Sequence, residues 1–71
     1  MSAITEQPPP VDEPKHPLTQ LTTYELNAHL RQLRAAVTFF EKTQTPALTV
    51  MRDKLAQVLA EQADRKRLAD A

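Results

Sequence analysis

The sequence predicts an all-α fold, in which an antiparallel hairpin of two helices, over about residues 22–42 and 46–68, follows a proline-rich N-terminal arm. Three observations predict it. A helix start signal stands at Thr22, apolar residues recur at spacings of three and four on both sides of a short connection, and Pro46 ends that connection. Such spacings place apolar side chains on one face of a helix, and a short connection makes the two helices antiparallel neighbours.

The first helix begins with two local signals. Thr22 and Glu25 have the spacing of a capping box, in which each side chain accepts a hydrogen bond from a backbone N–H that the helix leaves unpaired. Leu21 and Leu26 have the spacing of the accompanying hydrophobic staple. Lys42 suits the negative end of the helix dipole. The apolar row of this helix is Leu26, Leu30, Leu33, Val37 and Phe40.

The second helix is predicted to begin after the connecting residues 43–45. Proline fits the first position of a helix, and Thr45 before it is a suitable N-cap. The apolar positions that follow are Leu48, Met51, Leu55, Val58 and Leu59. With a turn centred near Gln44, every apolar residue of the first row faces an apolar residue of the second, except Leu26, which faces Gln62. This pattern is typical of near-antiparallel helix packing.

The arm, residues 1–21, is predicted to be disordered and separate from a hairpin domain over residues 22–71. Five of the six prolines stand in its first 17 residues. Proline removes a backbone donor and disfavours helix in the residue before it. The composition favours a solvated tail over a docking motif, because the run from Pro8 to Pro10 has no neighbouring basic anchor and gives no PxxP repeat. Leu18 and Leu21 are placed to fold back onto the second helix.

Composition excludes several classes of function. Nine basic residues balance nine acidic ones, so no overall charge attracts the chain to nucleic acid or to a lipid surface. Cysteine and glycine are absent, which excludes disulfides, thiolate metal sites and glycine-rich phosphate loops. No apolar run has the roughly 20 residues of a membrane span. We expect a cytoplasmic protein without cofactor or metal.

A partner surface is expected beside the main seam. Two helices bury little apolar area, and a chain of this size usually needs a third element or association. Phe39 is adjacent to Phe40 and therefore about 100° away from it around the helix. The expected interface is Ala28, Gln32, Ala35, Phe39 and Val50, and the simplest assembly is a homodimer that forms a four-helix bundle. Alternatively, Phe39 widens the core of the hairpin or is a tolerated exposed residue.

Two basic groups are candidates for contact with nucleic acid or an acidic partner. Arg31, Arg34, Arg52 and Lys54 lie at similar levels of the hairpin, and cations in such a band can neutralise phosphates. Alternatively, they are ordinary flanking charges that cover the seam with their alkyl stems. Arg65, Lys66 and Arg67 are interpreted as a solvated face, with Arg65 paired to Glu61.

No catalytic constellation is predicted. His29 has Glu25 one turn before it, but no serine or cysteine nucleophile accompanies the pair, so a surface or boundary histidine is expected. Tyr24 is expected to pack near the start of the helix. The sequence therefore predicts a non-enzymatic protein-interaction module, an adaptor or regulator that self-associates or binds a larger protein. The alternative is a small helical regulator that binds nucleic acid.

Overall fold

A computed structural model describes residues 8–70, and within this range the protein is helical, without strands. A short 3₁₀ helix over Leu18–Gln20 precedes two long helices, α1 over Thr23–Thr43 and α2 over Ala47–Asp70. The prediction of an all-α chain with two helices is confirmed. Both helices begin and end within two residues of the predicted positions, a difference that is normal for helix ends.

The start of α1 has the predicted capping box. The Thr22 hydroxyl accepts a hydrogen bond from the backbone N–H of Glu25 at 3.1 Å, and the Glu25 carboxylate accepts one from the backbone N–H of Thr22 at 2.9 Å. The bond from the Thr22 backbone, with a smaller contribution from its side chain, holds the pKa of Glu25 below its ordinary value. The carboxylate form of Glu25 is therefore linked to the helix start.

The connection between the helices uses a left-handed residue that is not glycine. Gln44 has φ 52° and ψ 43°, and its backbone N–H donates to the carbonyl of Phe40. Glycine is the usual residue at this position because it has no Cβ to clash in the left-handed conformation. The hydroxyls of Thr43 and Thr45 are hydrogen bonded at 2.6 Å, and the Thr45 carbonyl accepts from the N–H of Leu48.

Two polar pairs mark the antiparallel register of α1 and α2. Near the open end of the hairpin, Gln62 Nε2 donates to Asn27 Oδ1 at 2.7 Å. Near the turn, Arg52 Nη2 lies 3.1 Å from Glu41 Oε2. Residues whose numbers sum to about 90 therefore face one another.

The core lies on one side of the predicted seam. Leu26, Leu33, Ala36 and Val58 have at most 1% of their surface exposed. Val37 and Phe40 are only half-buried, whereas the apolar periodicity placed them in the seam. Ala36 stands one helical turn after Gln32, which contacts the arm, so the buried stripe of α1 is displaced toward the side on which the arm lies.

The described part of the arm packs on the hairpin through a few of its residues. Residues 8–17 have no regular secondary structure. Val11 and Leu18 pack against a core cluster that includes Leu21, which is itself 7% exposed. The predicted return of Leu18 and Leu21 onto the hairpin is present. Residues 1–7 and 71 lie outside the described range.

The arm runs along α2 and bends on the way. Glu13 contacts Lys54, and Leu18 contacts Arg65. The chain bends at Lys15 and His16, between these two contacts. The five residues from Glu13 to Leu18 nevertheless meet α2 at positions eleven residues apart, because the Lys54 and Arg65 side chains are long and reach toward the arm. Each proline of the arm fixes its own φ, which lowers the entropic cost of docking.

Candidate functional site

The arm lies in a groove between the two helices. The groove residues used below are Ala28, His29 and Gln32 of α1 and Lys54 of α2, which line the two cavities beside the arm. We call this surface the arm groove. Helical spacing explains the α1 side, because residues 28, 29 and 32 lie within one turn and point to the same flank of the seam.

Gln32 contacts both the backbone and the side chain of Asp12. The backbone N–H of Asp12 donates to Gln32 Oε1 at 3.1 Å, and Gln32 Nε2 donates to Asp12 Oδ2 at 3.3 Å. A carboxamide offers a donor and an acceptor on one planar group. The same residue therefore recognises an extended backbone and an acidic side chain together.

Lys54 forms an ion pair with Glu13 across the groove. The hydrogen bond from Lys54 and then its charge lower the pKa of Glu13 from its ordinary value, with a smaller contribution from His29. No acidic residue stands three or four positions from Lys54 on α2, so its own helix offers no partner at the usual spacing. The arm therefore supplies, through Glu13, a carboxylate that α2 does not provide three or four positions from Lys54.

Arg65 fastens the end of the arm to α2. Its guanidinium donates to Glu61 Oε2 at 2.7 Å and to the carbonyls of Leu18 and Leu21 at 2.9 and 2.6 Å. The predicted pairing with Glu61 is present. The interpretation of Arg65 as part of a solvated face is wrong, because the side chain is only 28% exposed and satisfies two backbone carbonyls. The sequence alone could not reveal these carbonyls, which are more than 40 positions away.

His29 is buried, with 9% exposure, although the sequence predicted a surface or boundary position. The arm residues Glu13 and Pro14 line both cavities beside His29, so the arm accounts for the difference. Tyr24 differs in the opposite sense. It is 77% exposed at the edge of the groove and does not pack into the chain start as expected.

The five residues of the expected partner surface have different environments. Ala28 and Gln32 lie under the arm and are half-buried. Ala35 is exposed, Phe39 is half-buried, and Val50 is 51% exposed. We call Ala35, Phe39 and Val50 the turn-end surface. Phe39 follows Gln32 by seven residues and Val50 precedes Lys54 by four, so both continue the groove side of their helices toward the turn.

Phe39 and Phe40 pack against one another on α1. Their ring centroids are 5.5 Å apart and the ring planes meet at 82°, an edge-to-face arrangement. Such pairs are favourable because the positive ring edge meets the negative face. The two rings therefore form one apolar unit, with Phe40 toward α2 and Phe39 toward the groove side.

The four cations of the predicted basic band do not form one free patch. Arg52 is paired with Glu41 and Lys54 with Glu13. Arg31 and Arg34 are exposed and form no ion pair with another residue of the 8–70 range. In the last turns of α2, Arg67 pairs with Asp64 at 2.9 Å. The neighbouring carboxylates reduce the local positive charge that a phosphate backbone would meet.

The groove is lined by charged and hydrogen-bonding side chains, among them Gln32, His29 and Lys54. Across residues 8–70, no three His, Cys, Asp or Glu side chains are grouped as metal ligands. Neither helix of the described chain is long and apolar enough to cross a bilayer. No protein-family model, curated protein or solved structure matches the sequence.

Sequence reasoning missed the arm residues of this site, Val11, Asp12 and Glu13. Two signals could have indicated them. Val11 is an aliphatic residue in an otherwise polar and proline-rich stretch, and Lys54 has no acidic residue three or four positions away on its own helix. Neither signal fixes a pairing, because the contacts join residues 20 and 41 positions apart.

Proposed function

We propose that this chain is a non-enzymatic protein-interaction module that associates through the turn-end surface. The residues that would make the contact are Phe39 and Val50, with Ala35 beside them. The observation that supports the proposal is the difference along one face of α1. The Gln32 level is covered by the arm, whereas Phe39 two turns further on keeps part of an aromatic ring in solvent.

An aromatic side chain at a half-covered position is the kind of residue that anchors interfaces. Interface hot spots are enriched in aromatic residues, which bury a large area and lose little conformational entropy. Ala35 has no bulky side chain to hold another helix away from α1. Val50 adds aliphatic area on the second helix. The surface thus supplies an anchor and an approach for a helix of a partner.

A second copy of the chain is the simplest partner. In a homodimer, each copy would place its turn-end surface against that of the other, and four helices would share one core. The same surface could serve as the docking site for a larger protein. A module of this kind would act as an adaptor or regulator rather than as an enzyme.

Analytical ultracentrifugation of the full chain tests the proposal. We expect the wild-type chain to be dimeric at high micromolar concentration. Phe39→Ala should raise the dimer dissociation constant on the order of 30-fold, the effect of losing one aromatic hot spot. Phe40→Ala is the matched control, because it removes the same ring one position away, where the ring faces α2.

The two variants separate association from folding. Phe40→Ala should lower the free energy of unfolding while changing the dissociation constant less than Phe39→Ala does. Leu68→Ala removes an exposed aliphatic side chain distant from the turn and should change neither quantity. A wild-type chain that sediments as a monomer at 200 µM (roughly the top of the range that distinguishes weak dimers) contradicts self-association.

A further inference from the structure

We propose that the arm groove is a recognition site for an extended acidic segment of a partner protein, and that the arm of this chain is its intramolecular competitor. The segment would present an apolar residue followed by two carboxylates, the pattern of Val11, Asp12 and Glu13. This goes beyond the proposed function because it concerns another surface, another class of partner and a different set of residues.

The contacts of the arm define the chemistry that the groove selects. Val11 packs against the core cluster, so an aliphatic residue fits there. The residue after the aliphatic one needs both a backbone N–H and a carboxylate, because Gln32 binds these two groups of Asp12. The third residue needs a carboxylate that pairs with Lys54, as Glu13 does. An extended backbone is required because successive residues must reach partners on two different helices.

The groove keeps this selectivity when the arm leaves. Lys54 has no acidic residue at helical spacing, so departure of Glu13 leaves a cation without its carboxylate. His29 and Ala28 would lose the chain that now covers them. An acidic segment with an aliphatic residue restores both sets of contacts, whereas a basic or purely polar segment restores neither.

The arm is held by contacts that a competitor can replace. The bonds of Asp12 to Gln32 and the pair of Glu13 with Lys54 are exposed to solvent, and exposed ion pairs contribute little to stability. By contrast, Arg65 fixes the carbonyls of Leu18 and Leu21 at part-buried positions. The region from Val11 to Glu13 can therefore open while the remainder of the fold stays intact.

A partner protein is a better competitor than a second copy of the chain. The tether gives the arm an effective concentration on the order of millimolar at its own groove. The arm of another copy has identical contacts, so at micromolar concentration it cannot displace the tethered one. A partner with a larger aliphatic residue or a better-placed pair of carboxylates gains contacts that the arm does not make. The added binding free energy offsets the high effective concentration of the tethered arm.

NMR of the isotope-labelled full chain tests the inference with a synthetic peptide of residues 8–14, which covers the part of the arm that can open, as the probe. Binding is followed by the chemical shifts of the Gln32 side-chain amide and the Lys54 backbone amide. Val11→Asp weakens the docking of the arm and leaves the groove residues of both helices unchanged. In the wild-type chain the arm occupies the groove and competes with the peptide. We therefore expect the peptide to bind this variant at least about 5-fold more tightly than the wild-type chain. Glu13→Lys is a second arm variant, at an exposed position that folding does not require.

Charge reversal supplies the specificity control. A peptide with Glu13→Lys should bind the Val11→Asp chain about 2- to 5-fold more weakly than the unmodified peptide, the effect expected for an exposed ion pair. Adding Lys54→Glu to the chain should invert that preference. This inversion distinguishes a specific pairing of position 13 with position 54 from non-specific binding of an apolar peptide.

Three results would overturn the inference. The peptide could leave Gln32 and Lys54 unshifted in both arm variants at several times the roughly millimolar effective concentration of the arm. The two peptides could bind equally well whichever charge stands at position 54. Finally, the Gln32 signal could move with the concentration of the chain alone, which would assign the groove to a second copy. None of these readouts involves Phe39, so the proposed function can fail or succeed separately.

Discussion

The two ends of the hairpin differ in the number of chain segments that cover them. From the open end to the middle of the hairpin, the arm forms a third layer over α1 and α2, and Leu26, Leu33 and Val58 have at most 1% of their surface exposed. Toward the turn, Phe40 is half-buried and Val50 is half-exposed. The same two helices thus make a closed core where three segments meet and an open seam where only two do.

This difference shows what a pair of helices can and cannot bury. One stripe of each helix faces the other, and the flanks of both stripes need a further layer. The arm supplies that layer with residues outside regular secondary structure rather than with a third long helix. Its contacts at Glu13 and Leu18 meet α2 at positions eleven residues apart, so a short stretch of chain covers a long flank.

The largest expected effect comes from truncating the closed core. Leu33→Ala should lower the free energy of unfolding by about 2–5 kcal/mol, because it leaves a cavity among fully packed neighbours. Phe40→Ala should cost less, about 1–2 kcal/mol, since its ring is already half in solvent. Urea unfolding at low micromolar concentration measures both. A Phe40 variant as unstable as the Leu33 variant would mean that the turn end is as closely packed as the open end.

A second prediction concerns the attachment of the arm. Arg65→Ala should cost about 1–3 kcal/mol, because the carbonyls of Leu18 and Leu21 lose a charged donor. Arg65→Lys should recover only part of this loss, since an ammonium group lacks the planar fork that reaches several acceptors. Hydrogen exchange should quicken at the open end and stay unchanged near the turn.

Arg67→Ala is the control for Arg65, because it removes the same side chain two positions later. Arg67 is exposed and pairs with the exposed Asp64, so its loss should change the free energy of unfolding by less than about 0.5 kcal/mol. Equal effects of the two substitutions would show that Arg65 acts through general charge and not through the arm.

The smallest effect is a dependence on pH at the start of α1. The lowered pKa of Glu25 means that its carboxylate stabilises the fold above the ordinary pKa, and that this contribution is lost as pH falls through the lowered value. Glutamine can also form the capping box but does not titrate. Glu25→Gln should therefore be slightly less stable than wild type at pH 7, and the two melting temperatures should converge below about pH 4.

The contrast between the arm and the hairpin also separates what the sequence could predict from what it could not. The bounds of α1 follow from signals within a few residues, such as the Thr22–Glu25 box and the Leu21–Leu26 staple. The antiparallel arrangement follows from a short connection and two matching apolar rows. These features depend on neighbours in the chain, and a single sequence carries that information.

The contacts of the arm with the hairpin were not predicted, because they are long-range. Prolines were interpreted as a cause of disorder, although each one also fixes φ and so limits the conformations that the undocked arm can adopt. The buried position of His29 and the role of Arg65 follow from the arm and could not be predicted before its path was known. Two residues of the expected partner surface, Ala28 and Gln32, are likewise covered by a segment that the periodicity of the helices does not reveal.

The arm is attached to the hairpin on both sides of its bend, at Glu13 and at Leu18, so the length of chain between these contacts matters. Deleting one residue between them would draw Glu13 back toward Leu18 by up to about 3.5 Å, the reach of one residue. The Glu13 carboxylate would then lie farther from Lys54. A substitution along this stretch changes one contact, whereas an insertion or a deletion displaces every contact on its N-terminal side.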